Sequence, residues 1–185
     1  MPGRPKPTPE QVAAAVGTTI PDVLAPDLDV LFCGINPGLY SGAVGHHFAR
    51  PGNRFWKALH RGGFTDRVLH PVDDAESVRY GCGLTNLVAR ATAGAKDLRD
   101  DELRAGALRL EETVDRWAPR CVAVLGIGAF RTAFRHPRAS LGRQAGTLGG
   151  ALLWVLPNPS GLNAHHQLDD LGARFAELRL AVRRS

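Results

Sequence analysis

The chain has 185 residues, of which 44% are hydrophobic and 22% are charged, and this composition fits one globular domain with a single core. Three scattered cysteines without a CxxC spacing exclude a zinc ribbon and a four-cysteine iron–sulfur cluster, and they argue against a disulfide framework. The formal net charge of +5 favours an anionic partner such as nucleic acid, because attraction to phosphate speeds encounter. We expect buried, reduced thiols and no metal or other cofactor.

The N-terminal residues are rich in proline and lack the apolar h-region of a signal peptide. No apolar run approaches the roughly 20 residues that a membrane span needs. We therefore expect a soluble, cytoplasmic protein, associated with the nucleoid if the source is bacterial. Residues 1–20 are predicted to form a flexible basic N-terminal arm, and residues 21–185 a single domain.

The first strong element is a continuous apolar run at residues 29–35 that includes Gly34 near its end. Such runs are typical of strands buried on both faces of a parallel sheet. A glycine-rich loop is predicted over residues 36–52. A helix follows, for which Asn53 is the predicted N-cap.

In the second half, apolar residues spaced by four and three predict an amphipathic helix over residues 103–117. Buried strands are predicted at residues 121–126 and 151–156, with a short helix near residues 129–136 between them. A final apolar stripe predicts a helix over residues 168–182. Strands that alternate with helices predict an α/β fold, a single three-layer α/β/α domain with a mainly parallel central sheet.

Two of the predicted strands end in unusual loops, at residues 34–52 and 157–164. In open parallel sheets, ligands bind beyond the carboxyl ends of the strands. If both strands run in the same direction, the two loops converge on one cleft.

These loops carry a recognisable pair of motifs. The segment Gly34-Ile35-Asn36-Pro37-Gly38, with Phe48 and Pro51-Gly52-Asn53-Arg54-Phe55-Trp56 behind it, resembles the first motif of the mismatch-specific uracil/thymine DNA glycosylases. The segment Asn158-Pro159-Ser160-Gly161-Leu162 resembles the second motif of this family, which lies within the uracil-DNA glycosylase superfamily. Residues 84–90 and 103–106 also resemble family segments, so the likeness extends over residues 29–182.

The resemblance implies a uracil-DNA glycosylase-like fold and a monofunctional enzyme that initiates base-excision repair. Its expected substrate is double-stranded DNA in which uracil is mispaired with guanine, and the sequence leaves open whether mispaired thymine or ethenocytosine is also excised. The base is flipped out of the helix and its N-glycosidic bond is hydrolysed. Neither Lys57 nor Lys96 lies in a motif, which favours an enzyme without lyase activity. We expect it to act as a monomer.

The resemblance assigns the catalytic positions to Asn36 and Asn158, with Asn36 beside the attacking water and Asn158 near the sugar and that water. An amide cannot accept a proton as a general base at ordinary pH, so Asn36 can only orient the water. Catalysis must then depend on a good leaving group, and uracil qualifies. The residues alone leave a second interpretation of Asn158, an ordinary Asn-Pro turn.

The resemblance also implies a pocket for the base. Phe48 matches the aromatic that stacks on the extruded base, and Ser41 lies near the C5 edge of the base, close to Tyr40. Gly38 is expected to let the main chain approach the ligand. The remaining pocket positions are Ile35, His47 and Asn86. From the residues alone, His46 and His47 are equally consistent with solvated loop residues, and Asn86 with a side chain that satisfies buried backbone.

A wedge loop is implied at residues 160–163, where Gly161, Leu162 and Asn163 fill the vacated space and Ser160 lies near a DNA phosphate. Some relatives have an arginine where this chain has Asn163-Ala164. Other candidate phosphate contacts are basic residues near the motifs and in the arm: Arg4, Lys6, Arg50, Arg54 and Arg61.

Two other functions remain open at this stage. One is a broader uracil-DNA glycosylase that also attacks single strands. The other is a non-catalytic nucleotide- or phosphate-binding α/β module, which the glycine-rich turn favours. The sequence contains neither a G-x-G-x-x-G nor a G-x-x-x-x-G-K-[ST] pattern, which argues against the second of these.

Overall fold

A five-stranded sheet forms the centre of the structure, a computed structural model that describes residues 6–184. The strands are β1 (Val30–Gly34), β2 (Cys82–Asn86), β3 (Cys121–Leu125), β4 (Gly142–Leu148) and β5 (Ala151–Leu156). The α-helices are α1 (Pro9–Ala14), α2 (Leu39–Val44), α3 (Phe55–Arg61), α4 (Asp100–Trp117), α5 (Ile127–Ala133) and α6 (Leu168–Arg184). Two 3-10 helices occupy Pro71–Tyr80 and Ala95–Asp97. No helix in the described range is long and apolar enough to cross a membrane.

The strand order is β2-β1-β3-β5-β4, and every neighbouring pair is parallel except β4 with β5. This confirms the mainly parallel sheet that the sequence predicts. The carboxyl ends of β1, β2, β3 and β5 therefore lie at one edge of the sheet. The chain order reverses between β1 and β3, which is where open α/β sheets bind their ligands.

Helices cover both faces of the sheet, which is why β1, β3 and β5 carry continuous apolar runs. On one face α3 and α6 pack against the sheet, and Phe32, Phe55 and Phe175 meet there in a buried aromatic cluster. On the other face α4 and α5 contribute Leu110 and Phe130 to a second core. The two cores sandwich one sheet, as expected for a three-layer α/β/α domain.

Four elements, α2, α3, β2 and β4, differ from the prediction because tertiary contacts override weak local patterns. The predicted loop at residues 36–52 contains α2, a helix of six residues. Strand β2 has no long apolar run and forms by pairing with β1, whereas β4 is an exposed edge strand with a register shift. Helix α3 begins at Phe55, and the predicted cap Asn53 still accepts a hydrogen bond from the Phe55 N–H at 2.9 Å.

The predicted arm, residues 1–20, is structured over much of its described part. Helix α1 starts with a capping box in which Thr8 and Gln11 exchange hydrogen bonds. The following residues dock onto the domain, because Gly17 N–H donates to the Ala91 carbonyl and Ala91 N–H donates to the Thr18 carbonyl. The described part of the arm therefore contains a helix and hydrogen bonds to a distant segment, and its flexibility stays a prediction. The predicted contact Arg4 lies outside the described residues.

Candidate functional site

A cavity of about 380 Å³ opens at the carboxyl edge of the sheet, between the two motif loops. Residues that follow β1, β2 and β5 line it, as the sequence predicts for strands that run in the same direction. The predicted site residues that line it are Ile35, Asn36, Gly38, Ser41, His47, Phe48, Asn86, Asn158, Ser160, Leu162 and Asn163.

The side-chain amide of Asn36 is held in one orientation. Its Nδ2 donates to the Thr92 hydroxyl at 2.7 Å and to the carbonyls of Arg90 at 3.0 Å and Pro37 at 3.2 Å. The Thr92 hydroxyl itself donates to the Gly94 carbonyl at 2.8 Å, so its lone pairs face Asn36. Within residues 6–184 no group donates to Asn36 Oδ1, which leaves this oxygen as a fixed, free acceptor.

The side-chain amide of Asn158 is held through its oxygen, whereas that of Asn36 is held through its nitrogen. Asn158 Oδ1 accepts the Ser160 N–H at 3.0 Å, which is the Asx turn expected from the Asn-Pro segment. Among the described residues its Nδ2 has no acceptor, so the amide offers a donor. The turn and the site are therefore compatible, because the turn uses one end of the amide and leaves the other end free.

Phe48 has a strained backbone and a tightly packed ring. Its φ of 52° lies in the left-handed region, which is uncommon for a bulky side chain and is often found at functional sites. One face of the ring stacks on Phe55 with centroids 4.0 Å apart. Gly34 leaves space beneath, since a Cβ there would lie 3.3 Å from the Phe48 ring and 2.5 Å from Asn86 Oδ1.

Ser41 is buried on α2 rather than in a loop. Its hydroxyl oxygen accepts the Ala49 N–H at 3.0 Å and thereby fixes the turn that carries Phe48. Tyr40 does not belong to the described lining of the cavity. Asn86, at the end of β2, makes no side-chain hydrogen bond within residues 6–184. Its amide therefore does not serve buried backbone, the second interpretation that the sequence left open.

His47 is buried, with 1% of its surface exposed, and is therefore not a solvated loop residue. Its Nε2 lies 2.9 Å from the Pro21 carbonyl, which requires a proton on that nitrogen. Burial lowers the pKa of His47, so the neutral ring predominates near pH 7. The main-chain N–H of His47 donates to Asp74 Oδ2 at 3.0 Å. The neighbouring His46 is half-buried, and its Nδ1 lies 3.2 Å from Asp74 Oδ1.

The wedge loop presents one large apolar side chain, Leu162, which is 74% exposed. Asn163 faces inward instead: its Nδ2 donates to the Asn158 carbonyl at 2.9 Å and its Oδ1 accepts the His165 N–H at 3.1 Å. Gly161 lies outside the cavity lining and packs against the first motif loop. The geometry thus assigns the apolar tip to Leu162 and a loop-stabilising function to Asn163.

Two of the predicted phosphate contacts are engaged within the protein. The Arg54 guanidinium donates to carbonyls of the second motif loop, and Arg61 pairs with Asp169 of α6. Arg50 is exposed at the cavity rim. Lys6 is also exposed but lines a second, shallower groove beside α1 and α2.

Sequence reasoning missed Thr92, which lines the cavity and holds Asn36. Thr92 follows the segment at residues 84–90 that resembles the family, but no sequence motif marks Thr92 itself. The described part of the lining contains no aspartate or glutamate. Within residues 6–184 no group of three or more His, Cys, Asp and Glu residues could hold a metal ion. Apart from His47 and Arg50, the polar groups in the described lining are therefore amides, hydroxyls and main-chain groups.

The comparisons with known proteins agree with this architecture. A family model described as the uracil DNA glycosylase superfamily matches residues 21–182. The chain is also similar to the solution NMR structure of a proposed uracil DNA glycosylase from Methanosarcina acetivorans. The TM-score is 0.58, with 19% identity over 89% of this chain and 99% of that chain. At this identity the similarity concerns the fold, and it confirms the predicted α/β class.

Proposed function

The chain belongs to the uracil DNA glycosylase superfamily, whose members are hydrolases that act on DNA, and from this premise we propose that it excises uracil mispaired with guanine from double-stranded DNA. It does so as a monofunctional glycosylase, by rotating the base out of the helix, and so begins base-excision repair. The observation that carries the proposal is the fixed amide of Asn36 in a cavity whose described lining lacks a carboxylate.

The free Oδ1 of Asn36 can accept a hydrogen bond from a water molecule and so aim a lone pair of that water at the anomeric carbon. It cannot remove the proton, since an amide is not a base at ordinary pH. The free Nδ2 of Asn158 is a donor for an acceptor atom of the substrate. Together the two amides orient the reactants without supplying acid or base.

Such a site suits a substrate whose base departs readily as an anion. Cleavage of an N-glycosidic bond passes through an oxocarbenium-like sugar, and the departing base takes the negative charge. Uracil stabilises that charge well. A mispair also lowers the cost of extrusion, which is a few kcal/mol and least for mismatched bases. Selectivity for mispaired uracil thus follows from a site with modest catalytic power.

Access to the base rests on two apolar groups. In this proposal the exposed Leu162 enters the helix as the base leaves, and the partly buried Phe48 ring, which lines the cavity, offers a stacking surface. Stacking of a base on an aromatic ring contributes roughly 1–3 kcal/mol. The net charge of +5 supports binding to the phosphate backbone, so affinity should fall steeply as salt rises.

The test is single-turnover excision from duplexes that contain uracil, thymine or ethenocytosine opposite guanine, with A·U and single-stranded uracil alongside. Abasic product is detected as strand breakage after alkali. Wild type is compared with Asn36→Ala and with Gln144→Ala, which removes an amide on β4 outside the cavity lining. We expect excision from G·U to fall by about 100-fold or more in Asn36→Ala, within the range of a lost catalytic group, and to persist in Gln144→Ala.

The substrate panel separates the alternatives. Equal excision from G·U, A·U and single strands would identify a broader uracil-DNA glycosylase. The absence of abasic product from every substrate, with nucleotide binding retained, would identify a non-catalytic module. Full activity of Asn36→Ala on G·U would refute the assignment of that residue. Excision of thymine and ethenocytosine reports whether the pocket around Ser41 accommodates bases larger than uracil.

A further inference from the structure

Arg54 joins the two motif loops. Its Nη2 donates to the Ser160 carbonyl at 2.6 Å and to the Asn163 carbonyl at 2.7 Å, and its Nη1 donates to the His166 carbonyl. Its main-chain N–H donates to the Pro159 carbonyl at 3.0 Å. One residue of the first motif thus contacts the chain on both sides of Leu162, at Ser160 before it and at Asn163 and His166 after it.

The two loops are also in direct main-chain contact. A Cβ on Gly161 would lie 2.7 Å from the Gly52 carbonyl oxygen, so only glycine allows this approach. Arg54 Nε is buried and has no hydrogen-bond partner among the described residues. The guanidinium is therefore turned into the protein and committed to the loop, and it is not presented to a phosphate.

We propose that Arg54 is a positioning residue that holds the loop at residues 159–166 closed, so that Leu162 stands rigidly at its tip and can displace a stacked base. This rests on the function proposed above. A large apolar side chain on a mobile loop would fold against its own protein, and entering the helix would then require ordering of the loop. A loop that is already ordered avoids this loss of conformational entropy.

The geometry requires arginine in particular. The planar guanidinium reaches carbonyls in different directions from one fixed fork, whereas a lysine ammonium is a single point charge on a flexible stem. Arg54→Lys therefore keeps the charge and much of the side-chain volume but loses the simultaneous contacts. The variant isolates loop closure from net charge.

The experiment compares wild type, Arg54→Lys and Arg54→Gln with the matched control Arg138→Lys, which changes an exposed arginine outside the cavity lining. Hydrogen exchange of the amides in residues 159–166 reports loop closure without any need for activity. Single-turnover excision is then measured on a G·U duplex and on a duplex in which the uracil is an unpaired bulge. The bulged base requires little extrusion and so bypasses the wedge.

We expect faster exchange confined to residues 159–166 in both Arg54 variants, and unchanged exchange in the control. Excision from G·U should fall roughly tenfold or more relative to excision from the bulge, the effect of losing at least one charged hydrogen bond. In a Leu162→Ala background the Arg54→Lys change should not lower this ratio further, because both residues act in one step.

Three results would overturn the proposal: unchanged loop exchange, an equal fall on G·U and bulged uracil, or full additivity with Leu162→Ala. A fall in protection from hydrogen exchange throughout the protein would show that a variant has unfolded. The proposal is then tested with the other Arg54 variant. If wild type excises neither substrate, the proposed function fails, while the exchange measurement still decides whether Arg54 closes the loop.

Discussion

Replacing Thr92 with valine tests whether the fixed amide of Asn36 is needed for the reaction. Thr92 is buried, with 3% of its surface exposed, and valine has nearly the same shape without the hydroxyl. The change removes the 2.7 Å hydrogen bond from Asn36 Nδ2 and the 2.8 Å hydrogen bond to the Gly94 carbonyl. The weaker contacts of Nδ2 with Arg90 and Pro37 remain.

The size of the effect follows from these contacts. A neutral hydrogen bond contributes about 1 kcal/mol net, and a buried partner left unsatisfied costs about 1–3 kcal/mol. Loss of about 1–1.4 kcal/mol of orienting energy lowers the population of correctly aimed Oδ1 by about fivefold to tenfold. The free energy of unfolding should fall by about 1–2 kcal/mol through the two lost hydrogen bonds.

The assay is single-turnover excision from a G·U duplex, combined with urea unfolding of each variant. We expect Thr92→Val to lower the excision rate constant by about fivefold to tenfold, an orientation loss of about 1–1.4 kcal/mol. The control Thr92→Ser keeps the hydroxyl and should retain most of the rate. The reasoning is refuted if Thr92→Val excises uracil as fast as wild type, or if Thr92→Ser loses as much as Thr92→Val.

Three further changes probe the site and its supports. Gly38→Ala should leave the melting temperature unchanged or slightly higher, because a Cβ there meets nothing within 4 Å. The added methyl group should nevertheless raise the KM for G·U duplex, because it fills space meant for the ligand. An unchanged KM would contradict this. Gly161→Ala should lower the free energy of unfolding by about 1–3 kcal/mol through a clash with the Gly52 carbonyl, and a wild-type urea midpoint would argue against the close contact. The hydrogen bond from Arg90 lowers the pKa of Glu102 to about 2, so their pair adds stability that is complete above about pH 4.5 and is lost as pH falls toward 2. In Glu102→Gln that pH dependence of the unfolding free energy should shrink, and urea unfolding across this range measures it.

The sequence by itself determined the class of fold and predicted the edge of the sheet at which the candidate site lies. Continuous apolar runs at β1, β3 and β5 can be satisfied only where both faces of a strand are covered, so they indicated a parallel sheet with helices on both sides. The motifs after β1 and β5 then had to lie at the same edge of that sheet. These inferences depend on local patterns, which a sequence displays directly.

Only the tertiary structure decided what each polar group is free to do. Asn36 meets Thr92 across 56 positions of the chain, and Arg54 meets Ser160 across 106. No local pattern records such pairs, because their hydrogen bonds depend on where folding brings distant carbonyls and hydroxyls. The sequence therefore predicted that the Asn36 amide orients a water, and the tertiary structure decided which end of that amide is engaged, namely Nδ2. In the same way the sequence suggested Arg54 as a phosphate contact, whereas folding turned its guanidinium toward the carbonyls of the second motif loop.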